Sequence, residues 1–300
     1  MKNFISLRDF SYEELTDLLD RADFLRTAWK ENNMPKSLQN LRVGLWFYGN
    51  GFRNRVAFEL GAREMGASVS FLPGELGVHE PLEDISGYLG NWFSMLVIRA
   101  KRHEELLRVA SLSTIPVINA RTDKSHPCEI MGDLEYIRLN RGEIDQLNVV
   151  FVGEPTNLCM SWLEAATIFP IKVTQVCPPG YEINQALLRE LKKDAKGEIA
   201  ISNDLSNAVR NVDLIYTDCW PHGNGEKEKK KIESEFLPFQ IKKEHLSTLS
   251  AKGIFLPCPP VTRGQEVSSE VMSSPLCRNF EAKDNLLHIQ NAIMELVITP

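Results

Sequence analysis

Short apolar runs alternate with helix-spaced segments along almost the whole chain, and this alternation restricts the fold more than any other feature. Val43–Phe47, Ser68–Leu72, Met95–Ile98 and Ile115–Ile118 read as strands, with helical patterns over about 81–92, 102–111 and 127–140. The pattern pauses at Arg141-Gly142-Glu143 and restarts. Val149–Val152, Lys172–Val176, Glu198–Ser202, Leu214–Tyr216 and Ile254–Leu256 form the second set of strands, with helices at about 158–168, 183–194, 203–210 and 281–297. An amphipathic helix opens the chain, from the capping box at Ser11 and Glu14 through Leu15, Leu18, Leu19, Ala22 and Leu25 to about Lys30. Strands alternating with helices imply parallel pairing through crossover connections. The expected fold is α/β, with two doubly wound parallel-sheet domains and an active-site cleft between them. The first domain covers 1–140 and the second 141–280, and a C-terminal helix (281–300) packs back on the first.

In such folds ligands gather at the carboxyl ends of strands. The run from Leu45 to Ala62 is the most informative of these ends: an apolar strand, the turn Gly49-Asn50-Gly51, and a helix opening at or just after Phe52. A helix start presents unpaired N–H groups and the positive end of its dipole, and an arginine beside it grips oxyanions through a bidentate fork. Arg53 and Arg55 fall in this first turn, where acids are the usual choice, so the site is read as anion-binding. Arg55 has a plainer reading, an ion pair with Glu59 one turn on. Other strand ends carry Arg99, His126, Asn157, Asp218 and Cys258. His126 and Asp218 also suit capping roles, and Cys258 suits a small buried position. A dinucleotide fingerprint is not expected, because Gly49-x-Gly51-x-x-Asn54 lacks its third glycine and no acid ends the second strand.

Composition excludes several classes. The 300 residues are 43% hydrophobic and 25% charged, with a net charge of −6, which offers no basic field for nucleic acid. No run reaches membrane-span length, and the N-terminus lacks a signal-peptide core. The six cysteines are scattered without paired spacing, so reduced cytoplasmic thiols are expected rather than disulfides or a metal site. No cofactor is expected.

Phe52-Arg53-Asn54-Arg55-Val56-Ala57-Phe58-Glu59, Arg99 with His103, His126-Pro127-Cys128-Glu129, Tyr216-Thr217-Asp218-Cys219-Trp220 and Phe255-Leu256-Pro257-Cys258-Pro259 occur in an order that resembles the aspartate and ornithine carbamoyltransferases, the ornithine branch in particular. The resemblance spans about residues 3–298. It implies transfer of a carbamoyl group from carbamoyl phosphate to an amino acid's amine. It also implies a homotrimer with shared active sites, the loop near His79-Glu80-Pro81 reaching a neighbour. Donor binding is implied for Gly51, Phe52, Arg53, Asn54, Arg99, His126 and Glu129, with His126 donating to the carbonyl oxygen. Acceptor binding is implied for Asn157, Asp218, His222 and Cys258. Arg53, Arg99, His126 and Cys258 are the implied catalytic groups.

The sequence departs from the family pattern at that site. Gly51 and Phe52 stand where serine and threonine hydroxyls reach phosphate, and Asn54 where the pattern has a second threonine. Glu129 replaces a glutamine, Leu286 an arginine that only Arg121 or Lys124 could replace by swinging in, and His222-Gly223-Asn224 the acceptor-clamping Ser-Met-Gly. Pro257 and Pro259 flank Cys258 where histidine and leucine are expected. Losing two hydrogen bonds to a charged group, each contributing roughly 1.5–3 kcal/mol, weakens phosphate binding by about two to four decades. The amide of Asn54 and loop N–H groups are expected to recover part of this. A related acceptor is therefore expected, the alternatives being another acyl or phosphoryl-type donor or a catalytically silent metabolite-binding paralogue.

Overall fold

The structure is a computed structural model and describes residues 2–299. Two compact units divide the chain: residues up to Ile137 together with those from Lys283 onward, and Arg138–Ala282.

The first unit opens with helix α1 (Tyr12–Lys30), closed at its start by the Ser11–Glu14 capping box. It continues β1 (Arg42–Phe47), α2 (Phe52–Glu64), β2 (Ser68–Leu72), α3 (Leu82–Trp92), β3 (Met95–Arg99), α4 (His103–Leu112), β4 (Val117–Arg121) and α5 (Pro127–Arg141). The sheet is parallel throughout, in the order β2-β1-β3-β4. Crossover connections demand coverage of both faces, and Leu96, Ile98, Leu106, Val109 and Val117 are among the apolar side chains that supply it. β4 lies further along the chain than expected. Pro116 has no N–H to give, so pairing begins after it, and it carries Asn119 into the sheet. Asn119 looks unlike a strand residue, yet its Nδ2 donates to Ile5 O at 2.8 Å while Phe4 bridges Ile118.

The second unit holds β5 (Asn148–Val152), α6 (Asn157–Ala165), β6 (Lys172–Val176), α7 (Gln185–Asp194), β7 (Glu198–Ser202), α8 (Leu205–Ala208), β8 (Leu214–Thr217), α9 (Glu226–Phe236), α10 (Lys243–Leu246) and β9 (Ile254–Pro257). Its parallel sheet runs β7-β6-β5-β8-β9. α9 contains the charged run Glu226–Lys231 and is anchored at its far end, where Ile232 and Phe236 pack with Trp220 and Tyr181. The last helix, α11 (Asn279–Ile298), starts in the second unit and returns the chain to the first. Among the described residues no helix is long and apolar enough to cross a membrane.

Each sheet changes winding direction once, between β1 and β3 in the first and between β5 and β8 in the second. At such a switch point the loops part and leave a crevice at the carboxyl ends of the strands. Residues 51–54 follow β1 and Arg99 ends β3 at the first position, and Asn157 and Asp218 follow the strands at the second, while His126 follows β4 and Cys258 follows β9.

Candidate active site

In the first unit, Phe47 and Arg99 are register partners at the ends of β1 and β3. Tyr48 N donates to Arg99 O at 2.7 Å, tying the loop after β1 to that strand end. Gly51 is the N-cap of α2 with φ of +48°, a conformation that favours glycine. A Cβ built there would lie 2.8 Å from Arg99 Cδ and 2.8 Å from Phe47 Cδ1. The Arg99 side chain therefore lies across the bare backbone at the start of α2. That first turn has no acidic residue and no side-chain cap, and Arg53 stands exposed on it. Phe52 also faces outward, at 59% exposure. Uncapped helix N–H groups beside an arginine are the groups that oxyanions bind.

Three expectations change here. Arg55 does not pair with Glu59. It lies over the Phe71 ring, 5.0 Å from the centroid, while Glu59 takes Arg63 at 3.1 Å. The Asn54 side chain does not stand in for a lost hydroxyl. It turns inward, where its Nδ2 donates to Glu129 Oε2 at 3.2 Å and its Oδ1 accepts from Gln290 Nε2 at 2.8 Å. Lys124 is not available to replace an arginine at 286, because it pairs with Glu104. Leu286 itself is buried, and its backbone passes so near α5 that a Cβ at Gly132 would lie 3.2 Å from the Leu286 Cα.

His126 precedes α5 and is buried. Burial drives its pKa down to about 3. Glu129 opposes the shift, and Arg121, Arg99 and Lys283 reinforce it, so the ring is neutral near pH 7 and able to donate a hydrogen bond. Glu129 is 4% exposed, yet its carboxyl sits below the usual range. Burial alone raises it; the attraction of Lys283, then His126, and hydrogen bonds from Lys283 and Asn54 overcome that. His103 opens α4, its Nδ1 2.9 Å from Thr122 Oγ1 and its backbone N–H on Asp123 at 2.7 Å.

In the second unit, Thr217 pairs in register with Val152 on one side and Pro257 on the other, so the chain leaves β5, β8 and β9 at one level. Thr156 caps α6, and Asn157, its first residue, is buried. Asp218 follows β8, and its Oδ1 accepts from the N–H of the next residue, Cys219, at 2.8 Å. Cys258 is 8% exposed and its N–H donates to Thr217 O at 2.8 Å. His222 is exposed on the loop after Trp220. Glu154 and Glu266 were not singled out from sequence. Burial raises both carboxyls, and the charge of Asp218 raises each further. These acids therefore share one electrostatic environment, which favours a cationic amine. Among the described residues no group of His, Cys, Asp and Glu has the geometry for a metal ion.

Comparison with known proteins adds three observations. Residues 2–138 match the carbamoyl-phosphate-binding domain model of the aspartate/ornithine carbamoyltransferases, and residues 145–297 match their Asp/Orn-binding domain model. The ornithine carbamoyltransferase of Methanosphaera stadtmanae is 35% identical over 98% of this chain and 98% of its own. That of Chlorobaculum tepidum is 33% identical over 98% and 88%. Solved ornithine carbamoyltransferases from Pyrococcus furiosus (TM-score 0.93, 28% identity, covering 99% and 97% of the two chains) and Campylobacter jejuni (0.90, 32%, 99% and 99%) have the same fold. The two winding reversals, the arginine across the start of α2 and these end-to-end matches lead to one conclusion: the chain belongs to the aspartate/ornithine carbamoyltransferase family.

Proposed function

We propose that the protein transfers the carbamoyl group of carbamoyl phosphate to the amine of ornithine or an ornithine-like amino acid, with donor and acceptor sites altered from the family pattern. The observation that carries this reading is the Arg99 side chain lying over Gly51 at the uncapped start of α2. Arg53, Arg99 and the N–H groups of residues 51–54 bind the phosphate and neutralise it as it leaves. Neutral His126 donates to the carbonyl oxygen, where negative charge grows as the amine attacks. Arg121, one of the cations acting on His126, takes the place of the arginine absent at 286. Asn157 and Asp218 bind the amino acid's carboxylate and α-amino group, and Cys258 stands beside the attacking amine. The acids at 154, 218 and 266 draw in a cationic substrate, and His222 meets its outer end. The first unit is the donor domain and the second the acceptor domain.

The assembly in this reading is a homotrimer with shared sites. Phe52, Phe71, Val78, Tyr88 and Trp92 are large, exposed and apolar, a surface that an assembly would cover. Light scattering then gives three times the 34.0 kDa chain mass.

The test is turnover of carbamoyl phosphate against ornithine, other amino acids and diamines. Product with at least one amine is expected. Intact oligomers that neither turn over nor bind carbamoyl phosphate in calorimetry overturn the reading. The glycine and phenylalanine at 51 and 52 favour a second reading, a donor carrying less anionic charge. Acyl phosphates and other acyl donors in the same screen decide between the two.

A further inference from the structure

We infer that Lys283 is a positioning residue of the donor site: bridging Glu129 and Asp133, it holds the Glu129 side chain as a hydrogen-bond acceptor beside His126 and Asn54. The inference rests on the carbamoyltransferase reading of that site.

Glu129 and Asp133 lie four residues apart on α5, 4% and 1% exposed. Two like charges at this spacing repel even on a solvated helix, and burial deepens the cost. Lys283, on α11, places its Nζ 2.7 Å from Glu129 Oε1 and 2.8 and 3.1 Å from the two oxygens of Asp133. The other Glu129 oxygen takes Asn54 Nδ2 at 3.2 Å and lies 3.6 Å from His126 Nε2. Gln290, two turns along α11, completes the chain by holding Asn54 Oδ1 at 2.8 Å. One helix thus fixes residues on both α5, which His126 immediately precedes, and α2, which carries Arg53. Arg99 and Arg121 are the further charges acting on His126.

A glutamine at 129 would need no counter-ion, whereas a buried carboxylate does. Without Lys283, two buried acids face each other and Glu129 takes up a proton. An oxygen that accepted from a carbamoyl NH2 then carries a hydrogen, and donor binding weakens. Glutamine at 129 restores a neutral acceptor and removes the need for the lysine.

The experiment compares wild type, K283M, E129Q and E129Q/K283M for turnover, for KM towards carbamoyl phosphate across pH 5–9, and for Tm. K283M is expected to raise that KM about tenfold or more, the loss of one hydrogen bond to a charged group. The defect shrinks as pH rises and Glu129 ionises. E129Q/K283M is expected to return to within a few-fold of E129Q with no such pH dependence, although Asp133 keeps its Tm low. K283M with a lowered Tm but the KM and pH profile of wild type overturns the inference, as does a double variant no better than K283M. Where K283M fails to fold, K283M/D133N poses the same question with one buried acid fewer. Absence of wild-type turnover would count against the carbamoyltransferase reading alone. The inference is then judged by 13C-carboxyl resonances, with the Glu129 signal assigned through E129Q. The Glu129 carboxyl is expected to titrate at higher pH in K283M, and an unchanged midpoint overturns it.

Discussion

The two switch points differ in how they hold their residues. In the first unit the polar groups behind the start of α2 are interlocked: buried His126, Glu129, Asn54 and Gln290 form one connected set with partly buried Lys283. In the second, Asn157 and Cys258 are also buried, but Asp218 is half-buried and His222 is exposed on the loop after Trp220. A site built on buried, mutually satisfied groups is preorganised, and removing one member leaves others unpaired. An exposed side chain such as His222 changes with little structural consequence. In the proposed reading the donor side is therefore brittle, and the exposed loop at His222 is where specificity changes cheaply.

That contrast predicts a descending series of effects. If Arg99 grips the phosphate as proposed, Arg99→Ala removes two charged hydrogen bonds and is expected to lower kcat/KM for carbamoyl phosphate by about two to four decades; a loss under tenfold breaks the contrast. Gly51→Ser restores the hydroxyl of the family pattern, yet it forces a Cβ onto Arg99 and Phe47 at a positive φ. It is expected to cost about 1–3 kcal/mol of stability, read by chemical denaturation, and to weaken donor binding rather than strengthen it. A G51S enzyme that binds carbamoyl phosphate better than wild type shows the loop to be pliable.

The third prediction concerns pH. Burial holds His126 at about 3 and His288 at about 4, both below the unfolded value near 6.5. Between those limits the unfolded chain binds more protons than the native one, so stability falls as the solution is acidified from pH 6.5 towards 4. Each such histidine contributes a slope of about 1.4 kcal/mol per pH unit, and His288→Asn is expected to remove one share of it. Urea midpoints at pH 7 and pH 5 measure this, and an unchanged pH dependence in H288N locates the acid sensitivity elsewhere. The smallest effect is expected at the exposed loop. His222→Ala should change acceptor KM less than about fivefold and leave kcat alone, because a solvated contact contributes no more than about 1 kcal/mol. A hundredfold loss would place His222 in a desolvated site.

Much of the architecture was legible because periodicity is local. The Ser11 cap, the strand at Ser68–Leu72 and the glycine turn before α2 each follow from a few adjacent residues. β4 was misplaced because Asn119 and Arg121 owe their strand conformation to partners far along the chain. The fate of Arg55 was missed for a similar reason. A cation chooses among all neighbours in space, and Phe71 lies on another element.

The order of motifs along the chain sufficed by itself to assign the parallel α/β fold and the family. Hydrophobic period, turn chemistry and spacing are written in consecutive residues. Which groups satisfy which was decided only by the tertiary structure. Asn54 turns inward, Glu129 is held ionised, and Lys283, more than a hundred and fifty positions from Glu129, supplies the charge that permits it. Burial and electrostatics depend on distance in space, and no local pattern encodes that.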